Sequence, residues 1–174
     1  MAKRKIQSST PNGWVADLLI VVAIVCVLAI GGLVTGGSDD PWYAELTKPP
    51  FNPPDITFAI VWPVLYLFMA IAAILVRWNL GRMRYDGAAF GLFFMQLTFN
   101  LAWSILFFFM HRPVWAFLDL LALILTLIMT ISHFGRHSAV AGWLLVPYLL
   151  WTFFAAYLNG MIIWLNDFPI PFLS

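Results

Sequence analysis

The chain has 174 residues, of which 63% are hydrophobic and only 10% are charged, and its mean hydropathy is +0.91. Ordinary soluble domains carry roughly 25% charged residues, so this composition excludes a soluble core of this size and makes lipid the solvent for most of the chain. A formal net charge of +1 argues against nucleic acid as a partner.

The chain begins with a polar segment, residues 1–13, which contains Lys3, Arg4 and Lys5. We predict a cytoplasmic N-terminal tail. A basic start before an apolar run is also typical of a signal peptide. However, the apolar run at residues 18–34 is long for a signal peptide, and no A-x-A-type cleavage site follows it. We therefore interpret that run as part of the first membrane span.

Five apolar segments follow the tail, each close to the roughly 20 residues that a membrane-spanning helix needs. They are residues 14–35, 56–76, 88–110, 114–131 and 139–164. The sequence therefore predicts an all-α integral membrane protein, a bundle of five transmembrane helices over residues 14–166, with a short C-terminal tail at 167–174. Only three residues join the third and fourth spans, so these two helices should be antiparallel neighbours.

A proline-rich loop, residues 36–55, separates the first two spans. Its central stretch reads WYAELTKPPFNPP. The prolines exclude a helix interior and a strand ladder, and the aromatic residues are typical of boundaries between apolar and wet surfaces. We therefore predict an ordered loop that acts as a lid over a site between the helices. Its candidate lid residues are Trp42, Lys48, Pro49, Phe51, Pro53 and Pro54.

The basic residues predict the orientation of the bundle. Seven lie in the N-terminal tail and the second and fourth loops, namely Lys3, Arg4, Lys5, Arg77, Arg82, Arg84 and Arg136. The first and third loops hold two, Lys48 and Arg112. The positive-inside rule places the N-terminus in the cytoplasm, and the C-terminus and the first loop outside.

Polar and aromatic side chains recur on single faces of the second, third and fifth spans. The candidate binding residues are Trp62, Tyr66, Asn100, Trp103, Tyr148, Trp151, Ala155 and Asn159. Counting about 1.5 Å per residue places most of them in the outer half of the membrane, beneath the lid. An aromatic cavity with a few hydrogen-bonding groups suits a flat, mostly apolar ligand.

Several polar residues have a structural interpretation beside the functional one. Gln96 and Asn100 can stabilise helix packing by hydrogen bonds to neighbouring helices. The carboxylate of Asp119 must form an ion pair, be protonated or be hydrated. We predict that it is hydrated, because it lies near its helix N-terminus. His133 and His137 are four residues apart and could bind a metal or haem iron. Because no carboxylate or cysteine accompanies them on that face, we predict no metal site there.

Gly87 and Gly91 form a GxxxG pattern at the start of the third span. This pattern permits close contact between helices, so it predicts a homodimer. No Walker loop, G-x-S-x-G, H-E-x-x-H or Rossmann fingerprint occurs in the sequence. The residues alone thus predict a five-helix membrane protein with a covered aromatic pocket and no recognisable soluble-enzyme chemistry.

Four motifs carry a family resemblance. They are WYAELTKPPFNPP, VWPVLYLF, QLTFNLAW and VPYLLWTFFAAYLN. In this order and spacing the chain resembles the TspO/MBR family, the tryptophan-rich sensory proteins, whose animal members are the translocator protein or peripheral benzodiazepine receptor. The resemblance implies a five-helix bundle, usually dimeric, with a pocket under the first loop. It also implies binding of porphyrins, such as protoporphyrin IX or haem, and of related tetrapyrroles, with no required cofactor.

The resemblance also implies roles for single residues. Trp62, Asn100, Trp103, Tyr148 and Trp151 match positions that line or border the family pocket. We expect a porphyrin to stack on Trp62 and Trp151 and to hydrogen-bond to Asn100. Family members have been proposed to sense, to transport or to degrade such ligands, and Trp62 and Trp151 match the two tryptophans linked with oxidative degradation. We rank binding or sensing first, transport second and an enzyme third.

The chain departs from the family pattern at three places. Phe51 stands where a family tryptophan follows the Lys-Pro pair, and Asp55 and Ile56 stand where another tryptophan follows the double proline. The cholesterol motif of the animal members is absent, because no basic residue follows Leu158 closely enough. This absence argues against sterol recognition of the animal type.

Overall fold

The computed structural model describes residues 13–81 and 86–169, which are predominantly helical. The elements are α1 Gly13–Val34, α2 Pro41–Glu45, α3 Asp55–Leu80, α4 Gly87–Ser104, α5 Pro113–His137 and α6 Ala139–Leu165. Within the described residues, five of these helices, all except α2, are long and apolar enough to cross a membrane. This confirms the predicted all-α bundle of five transmembrane helices. Residues 1–12, 82–85 and 170–174, including Arg82, Arg84 and most of both predicted tails, lie outside the described residues.

The long helices form a closed ring in the order α1, α3, α6, α5, α4, with α4 returning to α1. The α5–α6 hairpin is packed closely, because a Cβ atom added at Gly142 would lie 3.2 Å from the Cα of Gly135. Helix α1 is the loosest member. Only 11% of its most apolar stretch is buried, compared with 28–44% for the other four helices.

Two helices extend beyond the predicted spans. Helix α3 continues to Leu80, so Arg77 lies inside the helix and not in a loop. Its guanidinium is buried and pairs with the carboxylate of Asp17 on α1, which ties these two helices together near one end. Helix α5 continues to His137, so His133 and His137 both belong to the helix.

Asp86 ties the start of α4 to the end of α5. Its carboxylate accepts hydrogen bonds from the backbone N–H groups of Ala88 and Ala89, both at 3.0 Å, and therefore caps α4. The other carboxylate oxygen lies 2.7 Å from Nε2 of His137. The bond from the Ala89 N–H, followed by the bond with His137, holds the pKa of Asp86 below its usual range. The sequence showed no carboxylate on the same helix face as His137, and the structure supplies one from a different element.

The proline-rich loop contains a short helix that the sequence analysis missed. Helix α2 begins at Pro41, and the Asp40 carboxylate caps it by accepting the backbone N–H of Tyr43 at 2.9 Å. The prediction of loop structure throughout residues 42–54 was therefore wrong at its start. An N-cap Asp followed by proline at the first helical position favours the start of a helix. An N–H at that position has no partner within the helix, so proline, which has no N–H, loses no hydrogen bond there.

Helix α4 ends in a widened π-helical turn, Ile105–Phe109, where the N–H of Met110 bonds to the carbonyl of Ile105 at 2.8 Å. The extra residue in the turn changes the direction of the side chains that follow. Phe107 and Phe108 are buried here, and their rings lie 6.2 Å and 5.6 Å from the ring of Tyr43 in the loop. The turn therefore provides the surface on which the loop docks.

Candidate functional site

A cavity of about 360 Å³ lies between α1, α3 and α4, beneath the proline-rich loop. Along α3 its wall runs from Asp55 to Tyr66, a depth of about 16 Å at the rise of an α-helix. The lining residues are Leu28, Gly31, Gly32, Thr35, Gly36, Gly37, Tyr43, Asp55, Phe58, Ala59, Trp62, Pro63, Tyr66, Asn100, Trp103, Ser104 and Phe108. The wall is mostly apolar and aromatic, as expected for a small-molecule site.

Four of the predicted binding residues line this cavity, namely Trp62, Tyr66, Asn100 and Trp103. The half-buried ring of Trp62 lies 5.9 Å from the ring of Tyr66 and 6.2 Å from that of Tyr148. Its indole N–H forms no hydrogen bond with any residue in the described part of the chain. Trp62 therefore offers the cavity both an aromatic surface and a hydrogen-bond donor without a protein partner.

A buried hydrogen-bond network forms the floor of the cavity. The hydroxyl of Tyr66 donates to Oδ1 of Asn100, and Nδ2 of Asn100 donates to the hydroxyl of Tyr148 at 2.8 Å. All three side chains are at most 5% exposed. One amide therefore connects α3, α4 and α6. Because each polar atom of this amide already has a protein partner, Asn100 fixes the position of the floor in addition to facing the cavity.

The other four predicted binding residues lie on α6 and are not part of the cavity lining. These are Tyr148, Trp151, Ala155 and Asn159. Tyr148 is fully buried next to Asn100. The ring of Trp151 lies edge-on to that of Phe58, a lining residue, at 5.6 Å. Helix α6 therefore supports the cavity wall from behind, since the ring of helices places α3 between α1 and α6.

Asn159 supports the wall through a chain of hydrogen bonds. Its Oδ1 accepts the indole N–H of Trp103 at 3.2 Å, and its Nδ2 donates to the carbonyl of Pro113 at 2.9 Å. Trp103 is a lining residue, and Pro113 is the first residue of α5. Asn159 thus connects α4, α5 and α6 and fixes the orientation of the Trp103 ring.

Helix α1 contributes to the cavity in a way that was not predicted from the sequence. A Cβ atom added at Gly31 would lie 3.7 Å from Oγ of Ser104, and one added at Gly32 would meet nothing within 4 Å. The cavity is therefore open because α1 carries no side chain at these two positions. Two adjacent glycines in the middle of a predicted span could have indicated this opening. Ser104 could also have been found, because it continues the four-residue spacing of Gln96 and Asn100.

The lid contacts the cavity through Tyr43. Burial raises the pKa of its hydroxyl, which donates to Oδ1 of Asn52 at 3.4 Å. Nζ of Lys48 lies 4.8 Å from the centre of the Tyr43 ring and donates to the carbonyl of Ala44 at 3.2 Å. The predicted lid residue Lys48 thus positions a neighbouring aromatic ring that covers the cavity.

Two further contacts fix the lid to the bundle. The ring of Trp42 stacks on that of His111 in the α4–α5 connection, with centroids 4.4 Å apart. The side-chain amide of Asn166 accepts the N–H of Thr47 at 2.8 Å and donates to its carbonyl at 3.0 Å. The loop is therefore held at the α4–α5 connection and at the end of α6. Of the remaining predicted lid residues, Pro49 is buried, Pro53 is half-buried, Pro54 is exposed, and Phe51 is 84% exposed.

Two sequence predictions concern residues outside the cavity. Oδ2 of Asp119 is buried with no hydrogen-bond partner among the described residues, so the prediction that this carboxylate is wet was wrong for that oxygen. Nδ1 of His133 contacts the carbonyl of Met129 on its own helix at 2.9 Å. Within residues 13–81 and 86–169, no group of three or more His, Cys, Asp or Glu side chains could hold a metal ion.

The comparisons with known proteins agree with this architecture. Residues 19–165 match the TspO/MBR family. The chain belongs to this family. It is 40% identical to the tryptophan-rich protein TspO of Archaeoglobus fulgidus over 152 residues, which cover 86% of this chain and 97% of that relative. It is also 40% identical to the translocator protein of Ovis aries over 119 residues, covering 68% and 70% of the two chains.

A third relative carries the name tryptophan-rich sensory protein. It comes from Cereibacter sphaeroides and is 33% identical over 146 residues, which cover 84% of this chain and 88% of that protein. Membership of the TspO/MBR family and five membrane-spanning helices together make this chain an integral, multi-pass membrane protein. The four motifs that carried the resemblance form the lid, the first half of α3, the cavity face of α4 and the supporting face of α6.

Proposed function

We propose that this TspO/MBR protein is a membrane receptor that binds porphyrin-like tetrapyrroles in the cavity between α1, α3 and α4. One observation carries the proposal: an aromatic cavity of about 360 Å³ lies under a docked lid, with Trp62 on its wall. The names of the relatives, sensory protein and translocator protein, support a ligand-responsive role. In the proposed orientation the N-terminus is cytoplasmic and the lid faces the outside.

The chemistry of the wall supports a flat, apolar ligand. Trp62 provides an aromatic face for stacking, and Phe58 and Phe108 add apolar area. Hydrogen-bonding groups are few, which keeps the desolvation cost of an apolar ligand low. Two polar groups of the wall form no hydrogen bond within the described residues, the indole N–H of Trp62 and the hydroxyl of Ser104. They can form hydrogen bonds with ring nitrogens or peripheral groups of a tetrapyrrole.

Replacing Trp62 with alanine is expected to weaken protoporphyrin IX binding about tenfold, because an aromatic contact contributes about 0.5–1.5 kcal/mol beyond the apolar area that it buries. The measurement is a titration of the detergent-purified protein in the dark, followed by porphyrin absorbance. Trp143→Ala is the matched control, because Trp143 is 70% exposed on α6 and does not line the cavity. Trp151→Phe should have a smaller effect than Trp62→Ala, since Trp151 supports the wall indirectly.

Equal affinity in wild type and Trp62→Ala would contradict the proposed site. Repeating the titration under light separates binding from degradation. Loss of many equivalents of porphyrin per protein would favour the enzyme alternative, whereas loss of about one equivalent with oxidised tryptophan would indicate photochemistry in a binding site. One-sided uptake into sealed vesicles would favour transport.

We also propose a homodimer formed through the exposed face of α4. Gly91 lies on this face, and a Cβ atom added to it would meet nothing within 4 Å in the subunit. Gly87 lies one helical turn earlier on the same face, so another helix can approach the backbone closely.

Replacing Gly91 with isoleucine is expected to shift the protein from dimer to monomer, because the branched side chain holds the helices apart. Size-exclusion chromatography with light scattering in mild detergent measures the mass. Ala29→Ile is the control, since Ala29 is exposed but lies on α1, away from this face. A dimer that survives Gly91→Ile would exclude this face.

A further inference from the structure

Asp55 brings a negative charge to the mouth of the cavity. It is the first residue of α3 and is exposed to water, and among the described residues that line the cavity it is the charged one. Its Oδ2 accepts the backbone N–H of Ser38 at 2.8 Å, which holds the carboxylate beside Gly37. Gly36, Gly37 and Asp55 line the cavity next to the lid, and we call this end the mouth. An aspartate in water is ionised at neutral pH, so a ligand entering under the lid meets a fixed anion.

Within the part of the chain that the structure describes, no basic side chain lines the cavity to offset this charge. Lys48 interacts electrostatically with Asp55 but lies outside the lining. Its ammonium group is directed at the ring of Tyr43 and donates to the carbonyl of Ala44. An anionic group of a ligand at the mouth would therefore face Asp55 without a cation of the wall as its partner.

We infer that Asp55 is a specificity determinant of the cavity, which selects flat ligands that are uncharged at the edge next to the mouth and disfavours carboxylates there. The inference rests on the proposed function, because it concerns the ligand of the same cavity. At contact distance, the repulsion between two like charges still weakens binding where water surrounds most of the site. The effect is expected on the order of fivefold in affinity, because the carboxylate is exposed and screened by salt.

The test compares protoporphyrin IX, which carries propionate groups, with its dimethyl ester, in wild type and in Asp55→Asn. Asparagine has nearly the same shape as aspartate. Its side-chain oxygen can still accept the N–H of Ser38, so the hydrogen bond between residues 38 and 55 is kept. Asp55→Asn is expected to bind the free acid about fivefold more tightly than wild type does, and to bind the ester equally well. Comparing the two proteins with the same ligand cancels differences in solubility and in partitioning into detergent.

Asp39→Asn is the matched control. It removes the same charge from the same loop, but Asp39 does not line the cavity. High salt should reduce the gain seen with Asp55→Asn, because it screens an exposed charge. If Asp55→Asn changes the affinity for acid and ester by the same factor, or changes neither, the inference is overturned. If wild type binds neither compound, the wild-type titrations alone refute the proposed function.

Discussion

Gly31→Leu is expected to lower the affinity for protoporphyrin IX by at least an order of magnitude. The added Cβ lies in ordinary contact with Oγ of Ser104 at 3.7 Å, so the backbone of α1 need not move. The rest of the leucine side chain then takes up space between α1 and α4, inside a cavity of about 360 Å³. Since protein interiors accept little overlap, ligand and leucine cannot both occupy this space. Titration by porphyrin absorbance in the dark measures the loss.

Two variants separate occlusion of the cavity from damage to the helix. Gly31→Ala adds only the Cβ and should retain binding, while it raises the helix propensity of the position by roughly 1 kcal/mol. Ala29→Leu places the same side chain on the exposed face of α1 and should bind as wild type does. Unchanged affinity in Gly31→Leu would place the ligand elsewhere, whatever the effect of changing Trp62.

Asn100→Leu is expected to have the largest effect on stability among single substitutions at the cavity. It removes the acceptor of the Tyr66 hydroxyl and the donor to the Tyr148 hydroxyl, both in a buried site. A hydrogen bond between transmembrane helices is worth about 0.6 kcal/mol on average, and a buried polar group left unpaired costs about 1–3 kcal/mol. Together these effects predict a loss of roughly 2–4 kcal/mol, which thermal unfolding in detergent would show as a lower midpoint temperature.

A triple variant tests the reason for this loss. In Tyr66→Phe/Asn100→Leu/Tyr148→Phe no hydroxyl remains without a partner, so a substantial part of the stability lost in Asn100→Leu should return. The single variants Tyr66→Phe and Tyr148→Phe should each cost less than Asn100→Leu. If the triple variant is less stable than Asn100→Leu, the loss comes from packing and not from unpaired hydroxyls.

The membrane spans could be predicted because their signal is local. Each span is a long apolar run, and the cost of placing an unpaired peptide group in lipid forces such a run to be helical. The prediction was therefore correct for all five spans, and it failed mainly at their ends, where α3 and α5 continue past the apolar run. Polar spacing on one helix was also informative, as it found Trp62, Tyr66, Asn100 and Trp103.

The arrangement of the helices could not be predicted from any single segment of the sequence. Lipid is as apolar as a helix interface, so hydrophobicity does not show which face of a span is buried. The contribution of Gly31 and Gly32 to the cavity depends on α1 lying against α4, and the position of Trp151 behind the wall depends on α6 lying beyond α3. Neither neighbour relation can be found from spacing within one helix.

The amino-acid sequence by itself determined the solvent and the number of spans, which depend on composition, and four lining residues, which depend on spacing along one segment. The family followed from the resemblance of four short motifs. The tertiary structure alone decided that the cavity opens at two glycines of α1 and that Asn100 joins three helices. It also decided that Asp55 brings a charge to the cavity mouth. These features depend on the distance between residues far apart in the chain, and that distance is set by the packing of helices whose lipid-facing and buried surfaces are equally apolar.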